Sequence, residues 1–279
     1  MTPGFAKSRE ELFYLPYPEH NRLIINAHNF TPAFSPDVNG KSPVAAWVES
    51  RDPETTSSTV ITDLVGLNDG TMTNMDPATD RVSDTGAGGV RALDFDGAND
   101  YVTIPHNSVL NPGSSAFSIS VWIKPPNSNQ YGPILQKRNA DGGIGQLYAL
   151  AVATSGYDAT VGKKVSFSLL WNSTAVVRSS HTTADVADGN WHHVVAIWTG
   201  SAIQIWVDGN SQSLTSEASS GTVSVALSPS GALRLGANVP GGLHYTGRQD
   251  DVRLFLSHAL DASDVAALYA SGAGRGVQA

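Results

Sequence analysis

The chain contains no cysteine. Disulfides, thiolate metal sites and a cysteine nucleophile are therefore excluded, and redox compartment leaves no mark on the sequence. Charge is sparse as well. Only 15% of the 279 residues are charged, and 17 Lys+Arg against 25 Asp+Glu leave a formal net charge of −8. Nothing gathers the basic residues into a patch, which argues against binding along a phosphate backbone. No stretch approaches the ~18 consecutive apolar residues of a membrane-spanning helix. Met1 to Glu11 lack the apolar core of a secretory signal, so the expectation is a protein made without one or a signal already removed, with the start at Met1 favouring the first. No Gly-x-Ser-x-Gly elbow occurs, and Gly272, Gly274 and Gly276 follow a helical segment instead of opening one, unlike a phosphate loop.

Turn-forming and β-forming residues are what the chain has in quantity. Its 27 glycines, with abundant Ser and Thr, suit many short strands and many turns. The stretch Val90 to Pro105 shows the pattern most clearly. Leu93 and Phe95 alternate with Asp94 and Asp96, Asp96-Gly97 supplies a turn, and Tyr101 to Ile104 leaves as a second strand stopped by Pro105. We read it as a hairpin. Further strands are expected at Val44–Val48, Phe117–Lys124, Ile134–Lys137, Gln146–Val152, Val165–Trp171 and Ala175–Ser179, and the stretch Ile61–Met72 carries a turn signal at Asn68-Asp69-Gly70. Trp191–Trp198, Ile203–Val207, Ser211–Thr215, Leu233–Gly236 and Asp251–Leu256 complete the set. Strands this short and this regularly spaced predict an all-β fold, a two-sheet antiparallel sandwich or jelly roll.

One helix is expected, at Asp261–Ala270. Asp261 is its N-cap, Asp264 stands in its first turn, and Val265, Leu268 and Tyr269 share a face. Its expected place is as a plug in one open end of the sandwich. Residues 1–43 differ from the rest. Pro3, Pro16, Pro18, Pro32, Pro36 and Pro43 punctuate them, with aromatics between. Prolines at this frequency prevent a core of the segment's own, and the aromatics need a surface to cover. We read residues 1–43 as an extended N-terminal arm, lying on its own domain or docking on a neighbouring subunit. Residues 44–272 are the folded domain, and 273–279 a Gly-rich tail.

Four pieces in order resemble the laminin-G-like (LamG) branch of the concanavalin-A-like lectin/glucanase jelly-roll superfamily, as found in bacterial and phage proteins. They are Phe95 to Val102, Phe117 to Lys124, Asp188-Gly189-Asn190-Trp191-His192-His193-Val194 followed by Ile205 to Gly209, and Asp250 to Leu254 leading through Ala259-Leu260-Asp261 to Gly272. The resemblance implies two sheets face to face. It does not imply one activity, since such sandwiches serve as carbohydrate-binding modules, adhesins, glycosidases and virion decoration or tail domains.

The site residues are weighed against that background. A glycosidase needs two carboxylates about 5–9.5 Å apart across a cleft. The glutamates here, Glu10, Glu11, Glu19, Glu49, Glu54 and Glu217, form no such strand pattern, and Asp94 and Asp96 stand beside a turn. His192 and His193 are adjacent, so on a strand they face opposite ways and do not share a metal. Asp96, Asn99 and Asp100 in the turn and Asp251 near the other end are hard oxygen donors. Some members of the superfamily bind Ca²⁺ through such residues, and this set is the candidate metal site if the two ends of the chain lie side by side. The alternative is that these side chains hold turns, with Asp251 pairing with Arg253. Trp122 and Tyr131 are the candidate ligand-binding aromatics, against the alternative that they are core. The functional expectation is a non-catalytic, lectin-like module that recognises a carbohydrate or protein surface. A structural component of a larger assembly, anchored through the arm and displayed on a virion or extracellular surface, is the other reading.

Overall fold

The computed structural model describes residues 36–49, 57–83, 91–139, 147–153, 162–172, 176–219, 227–238 and 242–269. The chain divides into two units, Met1–Pro32 and Ala33–Ala279, and every described residue belongs to the second. Most of the arm read from the sequence therefore lies outside the described residues.

In chain order the elements begin with β1 (Ala45–Trp47), β2 (Val60–Ile61), β3 (Gly70–Thr73), α1 (Pro77–Asp80) and β4 (Arg81–Val82). Next come β5 (Ala92–Asp96), β6 (Tyr101–Ile104), β7 (Phe117–Lys124), β8 (Gly132–Arg138) and β9 (Leu147–Val152). β10 (Val165–Asn172), β11 (Val176–Thr182), β12 (His192–Trp198) and β13 (Ile203–Val207) follow. β14 (Asn210–Ser211), β15 (Leu214–Ser219), β16 (Leu233–Leu235), β17 (Thr246–Leu256) and α2 (Ala262–Tyr269) end the fold.

The strands form two antiparallel sheets packed as a sandwich. The back sheet has eight strands in the order β14-β13-β12-β7-β17-β5-β4, with β1 also beside β17. The front sheet has nine, in the order β15-β11-β10-β9-β8-β16-β6-β3-β2. The period-two pattern of β7 explains how they meet. Phe117, Ile119, Val121 and Ile123 point into the core between the sheets, where they join Phe167 and Leu169 of β10 and Tyr148 and Leu150 of β9. Burying side chains of this size contributes roughly 1.5–3 kcal/mol each.

Two expectations change here. The stretch 90–105 is not a hairpin, because β5 pairs with β17 and β4 in the back sheet, whereas β6 pairs with β16 and β3 in the front sheet. The turn carries the chain from one sheet to the other. Leu93 and Phe95 enter the core from one side and Val102 and Ile104 from the other, which a flat hairpin would not allow. Gly97 permits it. Its φ of 77° suits glycine, and a Cβ there would collide with the Thr246 side chain.

Nor does α2 plug an end of the sandwich. It lies on the outer face of the back sheet, where Val195 and Ile197 of β12 and Phe255 of β17 meet Leu260, Val265 and Leu268. The apolar residues on that face needed a cover, and the amphipathic helix supplies it. Asp261 Oδ1 accepts the N–H groups of Ser263 and Asp264 while Asp264 Oδ2 accepts that of Asp261, a reciprocal cap. A turn at residues 38–41 docks on the same place. Val38 joins the apolar cluster, Asn39 donates to Asp264 Oδ1 at 3.0 Å, and Lys41 pairs with Asp264 Oδ2 at 2.5 Å.

Candidate functional site

The turn between β5 and β6 sits at one rim of the sandwich. A cleft of about 430 Å³ opens beside it, lined by Asp80, Asp94, Asp96, Asp100, Lys124 and Arg248 among others. Local structure sets each side chain. On β5, Leu93 and Phe95 face the core, so Asp94 and Asp96 must face out. β17 runs antiparallel beside them in a register that places Thr246 opposite Asp96 and Arg248 opposite Asp94. Arg248 Nε donates to Asp94 Oδ2 at 3.2 Å. Both side chains are about a third exposed, so this pair contributes little stability, about 0–1 kcal/mol, and its groups stay within reach of a ligand. Lys124 enters from the end of β7, across from Arg248.

The turn itself is held by its carboxylates. Asp96 Oδ1 accepts the N–H groups of Ala98 at 2.7 Å and Asn99 at 3.2 Å, and Asp100 Oδ2 accepts that of Asp96 at 3.0 Å. Burial works to raise the pKa of Asp96, but the N–H groups of Ala98, Asn99 and Asp100 outweigh it and the value falls below the ordinary one. Asp100 moves the other way, raised by burial and by the negative charges of Asp96 and Asp80. The cleft thus pairs a firmly ionised carboxylate with one that takes up a proton more readily. Alongside, Tyr101 lies under the Arg234 guanidinium at 4.6 Å and contacts the His244 ring at 6.2 Å.

Gly189, on the far lip, ties the loop before β12 to the cleft by donating its N–H to Pro125 O at 3.1 Å. Next to it, His192 is clamped between Asp208 Oδ2 at 2.7 Å and Asp188 Oδ1 at 3.0 Å. Burial opposes a charge on this imidazole, yet the two carboxylates prevail and its pKa is raised. Burial also pushes Asp188 upward, but the Asn190 N–H and amide together with His192 bring it down to about 2. His193 faces the opposite side of the sheet, as strand alternation requires. It is buried under α2, where its Nε2 shares a hydrogen bond with Ser120 Oγ at 2.9 Å.

The residues singled out from the sequence divide sharply. β5 is indeed a neighbour of β17, and Asp96, Asn99 and Asp100 share one turn. Asp251 does not join them. It lies five residues along β17 from Thr246, the partner of Asp96, which is about 16 Å at ~3.3 Å per residue. Its carboxylate is already taken by Arg253, which donates from Nε to Oδ1 at 2.5 Å and from Nη2 to Oδ2 at 2.8 Å. The four residues therefore do not fit one calcium ion. Among the described residues no group of three or more His, Cys, Asp or Glu side chains is placed to share a metal.

Neither candidate aromatic presents a ring to a sugar. Trp122 is 2% exposed, with Tyr269 of α2 stacked on it at 5.8 Å and His193 at 5.2 Å. It points out of its sheet, but the helix covers that face. Tyr131 is buried against Ala151, Ala153 and Leu243. Thr246 and Arg248 were not picked out from the sequence, because they reach the cleft only through a pairing across about 150 residues. The signal for Asp94 was the i, i+2 spacing with Asp96.

Comparisons with known proteins agree with this architecture. The family model Laminin_G_3, described as concanavalin A-like lectin/glucanases superfamily, matches residues 96–266. Adhesion G-protein coupled receptor V1 of Danio rerio is 29% identical over 148 residues, half of this chain and 2% of the receptor's length. Domain 4 of AbnA, a GH43 extracellular arabinanase from Geobacillus stearothermophilus solved with arabinotriose, superposes with a TM-score of 0.51 at 17% identity, covering 81% of this chain and 97% of that one. A structure of botulinum neurotoxin type C, whose cell entry depends on two ganglioside molecules, gives a TM-score of 0.55 at 13% identity, covering 82% and 51%. At these identities the two structures show a shared fold.

Proposed function

Because the chain belongs to the Laminin_G_3 family of the concanavalin A-like lectin/glucanases superfamily, we propose that it is a non-catalytic, lectin-like module that binds glycan at the rim cleft. The observation that supports this most is the cleft itself. Ionised Asp96, the Asp94–Arg248 pair, Lys124 and Thr246 converge there as acceptors and donors with fixed positions. Sugar hydroxyls donate and accept at once, and such a mixed set matches them. Asp80, Asp94, Asp96 and Asp100 outnumber Lys124 and Arg248, so the cleft suits neutral glycans and repels sialylated or sulfated ones. The complex of the AbnA domain with arabinotriose, a neutral oligosaccharide, is consistent with this reading.

A glycan array, run in Ca²⁺ and in EDTA, tests the proposal. Binding to neutral glycans is expected, and Arg248→Ala and Lys124→Ala are each expected to weaken it about tenfold, the loss of one or two charge-assisted hydrogen bonds. Silence across the array under both conditions would remove the lectin reading. A second reading, glycoside hydrolysis, has the support that several carboxylates, those of Asp80, Asp94, Asp96 and Asp100, line one cleft. Release of reducing ends by the wild type and not by Asp100→Asn would make the protein a glycosidase.

The assembly role of the arm is a separate proposal. Its test is removal of residues 1–32, which spares the turn at 38–41 on α2. If the oligomeric state is unchanged, the docking arm is ruled out.

A further inference from the structure

The far lip of the cleft is fastened by one imidazole. β12 begins at His192, between two acidic turns. Asp188 lies four residues before it, and Asp208 stands where β13 ends beside β12. Asp208 Oδ2 is 2.7 Å from His192 Nδ1, and Asp188 Oδ1 is 3.0 Å from Nε2. An ionised carboxylate accepts and does not donate, so both ring nitrogens carry a proton when both contacts are served. The imidazolium meets that demand. A neutral ring has a single N–H and turns a lone pair on the other carboxylate.

Other charged groups nearby are engaged elsewhere. Ile123 of β7 lies opposite His192, and Lys124, next on that strand, faces the other side of the sheet. The segment before β12 is tied to Lys163, whose carbonyl accepts the N–H groups of Val186 and Ala187 and whose ammonium reaches Asn127 Oδ1 at 2.6 Å. Lys164 pairs with Asp185 at 3.2 Å. The two contacts of the ring are unequal. The Asp208 side chain is 31% exposed and is fixed a second time, since its Oδ1 accepts the His193 N–H at 2.9 Å. The Asp188 side chain is 46% exposed and belongs to the turn 188–190, where it accepts the N–H and the amide of Asn190. A neutral ring therefore keeps its proton on Nδ1, toward Asp208, and drops Asp188. The same turn carries the lip, because Gly189 lines the cleft and donates its N–H to Pro125 O at 3.1 Å.

We propose that His192 is a pH-operated latch on the cleft: as imidazolium it holds residues 188–190 and the Gly189–Pro125 lip in place, and as neutral imidazole it releases them. This deepens the glycan reading and rests on it for the ligand whose affinity the lip controls. Burial opposes a charge on the ring, but the two carboxylates outweigh it and raise its pKa from 6.5. The lip is thus closed in mild acid and opens as pH rises through that raised value.

Hydrogen exchange at the Gly189 amide, expressed as protection relative to the unfolded chain, reads the latch without any ligand. Between pH 6 and pH 8.5 the wild type is expected to lose about tenfold in protection, the equivalent of one charge-assisted hydrogen bond. In His192→Gln, which does not titrate, protection should stay level. Asp208→Asn is the sharper test. Its Oδ1 keeps the His193 N–H, while its amide donates to Nδ1 of the neutral ring, whose Nε2–H then stays on Asp188. Asparagine also suits the φ of 50° at this position. This variant should hold the lip closed at pH 8.5. Wild-type protection that is level across the range, or that falls equally in either variant, overturns the latch. Glycan affinity at the same two pH values should follow the protection, falling about tenfold in the wild type and in neither variant. A glycan bound equally well at both values while protection falls overturns the lip's control of the cleft. Absence of any glycan binding would remove the cleft reading alone, and the exchange result would still decide the latch.

Discussion

Replacing Arg253 with alanine is expected to destabilise the domain by about 3–5 kcal/mol, the cost of stranding one member of a buried ion pair. Arg253 is fully buried and holds Asp251 through two hydrogen bonds, with a third from Nη1 to Pro36 O at 3.3 Å. Asp251 sits at the bulge where β17 shifts register against β7, with φ 50°. Without the guanidinium, its carboxylate remains buried beside Asp250. That neighbour is already held well above the ordinary carboxylate range, by burial first and by the Asp251 charge second. Lysine does not substitute, since one ammonium cannot span both oxygens. The thermal midpoint should fall by roughly 10 °C for a domain of this size. Denaturant unfolding of Arg253→Ala, Asp251→Ala and the double variant measures this. The double variant should be less destabilised than the sum of the two singles. A loss below about 1 kcal/mol in Arg253→Ala, the range of a surface pair, would show that the pair does not hold the bulge.

Acid should weaken the fold through His193. Burial under α2 lowers its pKa from 6.5 to about 4, against the opposing Asp251 charge, while the lesser effects of Arg253 and Asp208 lower and raise it in turn. Its Nδ1 has no partner to receive a second proton's charge. The unfolded chain binds that proton at the ordinary value, so protonation favours unfolding. The stabilisation is complete above pH ~6.5 and is lost as pH falls toward about 4, with up to about 3 kcal/mol at stake for a fully buried ring. Asp250 works in the opposite sense in acid, because its raised pKa makes protonation favour the fold. His192 also opposes it. Its raised pKa adds stability in acid that is lost as pH rises above ~6.5. The informative quantity is therefore the difference between wild type and His193→Gln, in which these terms cancel. Between pH 7 and pH 4 the wild type should lose about 3 kcal/mol more than the variant. Parallel pH profiles would mean that His193 carries no linkage.

Much of the sandwich was legible from periodicity. The alternation in Phe117–Lys124 places its core residues correctly, because one buried face leaves a period of two in the sequence. The same alternation misleads about the other face. Ser118, Ser120 and Trp122 read as surface residues, yet the helix far along the chain covers them. Ser118 Oγ donates to His258 O and accepts from Leu260 N, so a polar side chain there serves the helix connection. Trp122 as a sugar platform failed for that reason. Local pattern says which way a side chain points and not what lies on top of it.

The cleft shows the same division. Asp96, Asn99 and Asp100 share a turn because they are neighbours in the chain, and Asp-Gly chemistry makes that turn locally. The Asp251 expectation took adjacency of two strands for adjacency of two residues. Only the register, Thr246 opposite Asp96, decides which residue of β17 reaches the rim, and it selects Thr246 and Arg248. The chain's own patterns thus determine the strands, the helix with its cap and the family to which they belong. Tertiary structure decides that the turn after β5 crosses between sheets, that α2 lies on a face, and that carboxylates gather at one rim. The reason is physical. Strand and cap preferences act over a few residues, whereas register and cover are set when segments far apart in the chain bury their apolar faces against one another.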